Sequence, residues 1–230
     1  RIAYAGNIGG VIPLDKEVEK LVKSGAYAFE NLGCEVKDAC FDASDIQDII
    51  TGTRGFGMVA RYAERYDKYQ HLMTPQLINQ VSAALDLSVR DVVRSERLRT
   101  AYWHKIRKFM PNFDYIIAPV VGAPPFRVDE PLPTQVGGVP VDRFQDVFLS
   151  TYVFSVTGLP MISVPCGLTE DGRPVGMQII SRRHREDQAI AASSAYELLL
   201  PDLFVRPEMD LMALKPVSDA LNTPGVTIKK

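Results

Sequence analysis

Residues 154–182 read FSVTGLPMISVPCGLTEDGRPVGMQIISR, from Phe154 to Arg182. Two apolar runs, Met161–Val164 and Val175–Ile180, flank a polar turn around Asp171-Gly172. Short apolar runs bounded by turn residues read as buried strands, and Asp-Gly is a residue pair that closes such turns without strain. The stretch is therefore a core hairpin of an α/β protein. Gly158 and Gly176 fall where backbone bends or approaches closely, so both are expected to resist a side chain.

Working outward, Phe144–Thr157 is a helical or irregular apolar stretch carrying Phe144, Val147, Phe148, Tyr152 and Phe154. After the hairpin, Glu186–Leu200 has the pattern of an amphipathic helix, and the chain from Pro201 reads as a tail packed on the surface. Upstream, Asp114–Pro119 is a strand that runs into a Pro-rich, unpatterned segment, Val120–Asp142. Long ordered loops are uncommon in compact domains and often carry function.

The N-terminal residues predict a β-α-β unit. Ile2–Ala5 is a strand, Gly6–Leu14 a loop, and Asp15 the N-cap of a helix with Val18, Leu21, Val22, Ala26, Phe29 and Leu32 on one face. Gly33 sits where a helix end favours a left-handed residue, and Glu35–Ala39 is the next strand. Two neighbouring parallel strands follow from this order. The Gly6–Gly10 loop lacks both G-x-G-x-x-G and a P-loop lysine, so it reads as a connection rather than a phosphate cradle. Residues from about 45 to 112 are mostly helical. Asp45–Ile50 and Val59–Tyr69 are separated by the glycine-rich Thr51–Gly57, which reads as a helix break. Thr74-Pro75 starts another helix, and Ser88-Val89-Arg90-Asp91 opens a long one to about Met110 with a capping-box pattern. Its basic residues, among them Arg94, Arg99 and Lys105, are interspersed with acids and read as a solvated surface. No repeat and no linker divides the chain, so residues 1–230 form a single region.

Composition narrows the function classes. Hydrophobic residues make up 46% and charged residues 23%, with a net charge of −2. Such a balance gives no basis for nucleic-acid binding, and no apolar run approaches the roughly 20 residues that span a bilayer. Cys34 and Cys40 flank a strand that would hold them ~20 Å apart, too far for a disulfide. With no signal-peptide pattern before the first strand, a cytoplasmic location is expected. A chain that begins inside a strand reads as part of a longer protein.

Few residues offer chemistry of their own. His71, His104 and His184 form no metal-spaced pair with each other or with cysteine, so no metal site is expected. Cys166 ends an apolar strand and reads as a buried structural thiol. Ser155 and Ser163 lack a G-x-S-x-G elbow. No catalytic residue is assigned in this chain.

The irregular string T-G-L-P-x-I-S-V-P-C-G followed by D-G-x-P-V-G-M-Q-I-I resembles the C-terminal signature of the amidase signature hydrolases. The resemblance implies an α/β fold with a mixed, mostly parallel central sheet covered by helices on both faces. It also implies acyl transfer by a Ser–cis-Ser–Lys triad, with no metal or organic cofactor. The Gly/Ser-rich triad segment of that family is not found in these residues. The chain thus resembles the C-terminal half of such an enzyme, whose N-terminal half would be its partner and supply the nucleophile, with a small-molecule amide as substrate. A homodimer is left open. By the same resemblance Val120, Val121, Gly122, Phe126, Tyr152, Phe154, Ser155 and Thr157 lie near the substrate cavity. The tRNA-dependent amidotransferase branch carries an R-I-x-L-G-like stretch that is missing here, and Ser155 stands where that branch has Asn. A stand-alone amidase is the leading expectation. The alternatives are a scaffold without the triad and a glutamine amidohydrolase subunit.

Overall fold

The computed structural model describes residues 1–127 and 129–205. In chain order its principal elements are β1 (Ile2–Tyr4), α1 (Lys16–Ala28), β2 (Val36–Asp38), α2 (Ile46–Tyr69), α3 (Pro75–Leu85) and α4 (Val89–Phe109). They continue with β3 (Tyr115–Pro119), β4 (Gln135–Val136), β5 (Val139–Pro140), α5 (Phe144–Val147), α6 (Leu149–Ser155), β6 (Met161–Leu168), β7 (Pro174–Ser181) and α7 (Glu186–Leu199). Any tail beyond Val205 lies outside the described residues.

The hairpin β6–β7 is the edge of a five-stranded sheet in the order β2-β1-β3-β7-β6. Strands β2, β1 and β3 are parallel, whereas β7 runs antiparallel to both β3 and β6. Four of the five strands therefore point the same way, and the mixed, mostly parallel sheet that the resemblance implies is present. Side chains alternate across it as a strand's period of two requires. Ala3, Ile116, Ala118 and Ile180 face one core, filled by Ile46, Ile49, Tyr102, Ile106, Val153 and Phe154 of α2, α4 and α6. Ile2, Tyr4, Ile117, Met177 and Ile179 face the other, filled by Val18, Val22 and Ala26 of α1 and by Ala192 and Tyr196 of α7. Helices cover both faces.

Local sequence signals explain the helix ends. Asp15 accepts hydrogen bonds from the Glu17 and Val18 amides, and Thr74 caps α3 ahead of Pro75. Ser88 and Asp91 form the reciprocal capping box that opens α4. Gly33 is left-handed, with φ at 79°. Leu32 lies past the end of α1 in a short 3-10 turn and is 43% exposed, so the apolar face of the helix ends at Phe29.

The glycine-rich segment 51–57 does not break a helix. It lies inside the uninterrupted α2, of 24 residues. The reason is packing. A Cβ at Gly52 would overlap Ser95 of α4, and one at Gly55 would overlap the side chain of Leu87, just ahead of α4. Glycines three apart share a helix face, and here they let neighbouring backbone come close. Ser95 is buried and its hydroxyl donates to the Asp48 carbonyl at 2.7 Å, so it cannot swing aside.

The two hairpin glycines part company. Gly158 has φ at 68°, where any side chain is strained. A Cβ on Gly176 would meet its neighbours only at 3.4–3.5 Å, ordinary contact distance, so the expected constraint there is not found.

The basic face of α4 is more than solvated surface. Lys105 donates to both Asp42 and Asp45 at 2.6 Å, and Arg94 reaches Asp48 at 2.8 Å. These pairs tie α4 to the start of α2. The Lys105 hydrogen bond, then those from Ser44, holds the Asp42 carboxyl well below the usual carboxylate range. A depressed carboxylate adds stability above its unfolded value, near pH 4, and loses it as pH falls further. Lys105→Met should therefore flatten the decline in Tm below pH 4, by no more than about 1 kcal/mol of stability because the pair is exposed. Acid-range calorimetry of both proteins checks this.

Gly52→Ala should lower stability by about 1–3 kcal/mol, since overpacking against Ser95 outweighs the roughly 1 kcal/mol gained in helix propensity. Ser95→Gly in the same protein should recover much of the loss. Chemical denaturation of the four members of this cycle measures the coupling.

Candidate functional site

The site is organised by a buried amide. Gln178 of β7 is 3% exposed, and its Nε2 donates to the Pro119 carbonyl at 2.9 Å and to the carbonyl and hydroxyl of Ser150 at 3.3 Å each. The Ser150 hydroxyl, also buried, donates to the same Pro119 carbonyl. This knot joins the end of β3, the middle of β7 and the start of α6. It fixes where the chain leaves the sheet. From there the Val120 amide donates to the Gly176 carbonyl at 3.2 Å, and the Gly122 carbonyl accepts from the Asp15 amide at 2.8 Å.

Three pockets open beside this region. The first, of about 280 Å³, lies at the carboxyl edge of the sheet and is lined by Val120, Val121, Phe126, Phe148, Ser163, Val175 and Gly176 among others. The second, of about 340 Å³, sits between α2, α4 and the end of α6, with Tyr152 and Ser155 facing Arg54, Arg61 and Arg99. The third, of about 470 Å³, shares Arg54 and extends between α2, α3 and the segment 142–145.

The eight residues expected at the cavity are thus divided. Val120, Val121 and Phe126 line the first pocket, and Tyr152 and Ser155 the second. Gly122 is buried behind the first, packed on the Pro13 carbonyl. Thr157 caps a turn instead: its hydroxyl donates to the Phe154 carbonyl at 2.5 Å and accepts from the Leu159 amide at 3.2 Å. Phe154 is fully buried, edge-on to Phe41 at 5.9 Å between centroids. In this chain it is core, because its position on α6 points at the sheet and not at either pocket.

The candidate nucleophiles are held in local hydrogen bonds. The Ser155 hydroxyl donates back to its own helix, to the Thr151 carbonyl at 2.6 Å. Burial pushes the Cys166 thiol up to about 12, and it donates to the Val175 carbonyl. A thiol held protonated is a poor nucleophile. Among the described residues no group of three His, Cys, Asp or Glu could hold a metal ion, and no helix is long and apolar enough to cross a membrane.

Sequence reasoning did not single out Arg54, Ser150 or Gln178. Gln178 was visible only as one letter of the hairpin. Arg54 was hidden in the segment read as a break. No local signal finds it: residues two apart on a helix do not share a face, so the glycines do not mark Arg54, and the groups that place it, Gln80, Phe144 and Tyr152, are remote in sequence.

Phe154→Ala should cost about 3–5 kcal/mol, as truncation of a buried aromatic does. Tyr152→Ala, at a half-buried pocket wall, should cost much less. Thermal or chemical denaturation of the two variants separates core from wall.

Comparison with known proteins agrees with this architecture. The Amidase family matches residues 1–190. An acylamidase of Rhodococcus erythropolis is 26% identical over 203 residues, covering 87% of this chain and 42% of that protein. A glutamyl-tRNA(Gln) amidotransferase subunit from Desulforapulum autotrophicum is 26% identical over 223 residues, covering 84% of this chain and 44% of its own. The chain therefore spans less than half the length of these curated relatives. The crystal structure of a bacterial aryl acylamidase of the amidase signature enzymes superposes with a TM-score of 0.73 at 28% identity, covering 90% of this chain and 46% of that one. The 6-aminohexanoate cyclic dimer hydrolase, at 22% identity and a TM-score of 0.69, shares the fold. On the match over residues 1–190, the chain belongs to the amidase signature family of hydrolases.

Proposed function

We propose that this chain is the C-terminal half of an amidase that hydrolyses a carboxamide to a carboxylate and ammonia or an amine through a serine acyl-enzyme. The observation that carries the reading is the joint likeness in sequence and fold to an aryl acylamidase over nine-tenths of the chain. On this reading residues 1–230 form one region of a larger catalytic domain, and an N-terminal half supplies the serine, its cis-serine relay and the lysine. The serine oxygen bonds to the amide carbonyl carbon while backbone N–H groups hold the oxyanion, and the C–N bond then breaks with a proton passed to the leaving nitrogen. Water releases the acid and restores the serine.

This half contributes walls and position. Val120, Val121 and Phe126 offer an apolar surface at the carboxyl edge of the sheet, where open α/β folds receive ligands. Tyr152 and Ser155 border the cationic pocket. Such residues act on binding and orientation. Alanine at Val121 or Tyr152 should change relative kcat/KM among amides more than it changes kcat on the smallest one.

A second reading has a specific basis, since several glutamyl-tRNA(Gln) amidotransferase subunits are 24–30% identical over parts of this chain. On that reading the substrate amide is glutamine, and the partners are the other members of such a complex.

The deciding experiment uses the full-length protein. It should release amine or ammonia from simple aryl or aliphatic amides, and a serine-directed sulfonyl fluoride should abolish that release. Mass spectrometry should place the label on a serine outside residues 1–230. Label on a serine within 1–230, at full loss of activity, would overturn the reading. Turnover of glutamine alone would favour the amidotransferase reading.

A further inference from the structure

We propose that the pocket between α2, α4 and the end of α6 binds a carboxylate carried by the substrate, with the Arg54 guanidinium as its recognition group. This rests on the amidase reading for the identity of the molecule that bears the carboxylate. The case for the binding group itself comes from the charge and hydrogen-bonding state of the pocket.

Among the described residues three arginines, Arg54, Arg61 and Arg99, line this pocket, and no Asp or Glu does. Arg99 is already engaged: its Nε and Nη2 donate to Glu96 at 3.1 and 2.7 Å. Arg61 and Arg54 make no ion pair among the described residues. A concave site with charge of one sign concentrates the opposite sign.

Arg54 is held as a binding group is held. Its guanidinium carbon lies 5.9 Å from the Phe144 ring centroid and 5.7 Å from that of Tyr152, within cation–π range of both. Nη2 donates to Gln80 Oε1 at 2.5 Å. That is the only hydrogen bond to protein among its five N–H donors within the described residues. Nε is buried and has no partner among the described residues. Buried charged donors are normally paired, and leaving one unmatched is costly. The nearby acids do not meet this demand. Asp146 is committed to Arg143 at 2.8 Å and Gln47 at 3.0 Å. Asp142 borders the larger neighbouring pocket, but it is exposed and forms no pair with Arg54.

A planar fork fixed by two aromatic rings suits a carboxylate, which matches it with two parallel hydrogen bonds. The substrate class that follows is an amide with a second, ionised carboxyl group, such as the half-amide of a dicarboxylic acid. Tyr152 and Ser155 bound the same pocket, so the residues expected to wall the substrate cavity adjoin the proposed anchor.

Two measurements on the full-length protein test this. Calorimetry with glutarate, and with the neutral glutaramide and inorganic phosphate as controls, reads the site without turnover. Glutarate should bind, glutaramide and phosphate should bind at least tenfold more weakly, and Arg54→Leu should weaken glutarate about tenfold to a hundredfold. Should Arg54→Leu fail to fold, Arg54→Lys keeps charge but not the fork and should still lose several-fold. The second measurement is the ratio of kcat/KM for glutaramate to that for hexanamide, expected to exceed ten and to collapse toward one in Arg54→Leu, mainly through KM. No glutarate binding, or binding unchanged by the substitution, overturns the proposal. So does equal turnover of the two amides, which leaves the amidase reading standing. If neither amide is hydrolysed, it is the amidase reading that fails, and the glutarate result still decides the carboxylate site.

Discussion

The structure depends on one buried side-chain amide. Gln178 sits in the middle of β7, the single strand that runs against the other four, and its Nε2 reaches the last carbonyl of β3 and both oxygens of Ser150. A strand that ends at a proline leaves a carbonyl with no ladder partner to follow, and a buried carbonyl without a donor would be costly. Gln178 and Ser150 satisfy it together. Replacing either by an apolar residue would remove donors from a site with no water access. The same bonds decide that α6 begins above the end of β3. The walls of both smaller pockets inherit their positions from that junction, because Val120 follows β3 directly and Tyr152 is two residues past Ser150.

A second constraint is steric and acts on the same face of the sheet, among α2, α3 and α4. Much of α4 is charged, with Arg90, Arg94, Arg97, Arg99, Lys105, Arg107 and Lys108 along it. What brings α2 and α4 together is the absence of side chains at Gly52, backed by the capped start of α4 and the Lys105 bridge to Asp42 and Asp45. Arg54 stands on a different side of α2 from Gly52, since residues two apart on a helix do not share a face, and it is oriented there by Phe144, Tyr152 and Gln80. A bulkier α2 would hold α4 away and open the site to water.

Much of the fold was legible in the sequence because its signals were local. The β-α-β opening, the Asp15 and Ser88 caps, the left-handed Gly33 and the Asp171-Gly172 turn each depend on residues within a few positions of one another. The failures have a common physical origin. A glycine in a helix lowers propensity whether or not another helix rests on it, so Gly52 and Gly55 look like a break until Ser95 and Leu87, some 30 to 40 residues away in sequence, are placed against them. Phe154 shows the same limit: spacing marks it as apolar, and spacing alone does not separate a core face from a pocket wall. Ser155, one residue on and turned about 100° round the helix, borders the pocket.

The two cationic features of the molecule show how partners decide the meaning of a charge. Lys105 is met by two carboxylates at 2.6 Å, and the triplet is a fastening between α4 and the entry to α2. Arg54 has an amide oxygen and two aromatic faces, which orient a guanidinium without neutralising it. A protein that needed only a fastening at this point could use the first arrangement again, since Asp142 and Asp146 flank Phe144, whose ring lies beside Arg54. Instead Asp146 is occupied by Arg143 and Gln47, and Asp142 turns to solvent. An oriented, part-buried cation with no carboxylate partner among the described residues, facing a concave surface, is a poor contribution to stability and a good one to recognition. That contrast, between a charge satisfied inside the fold and a charge left for something outside it, is the strongest reason to look for substrate discrimination at Arg54 rather than at the more numerous arginines of α4.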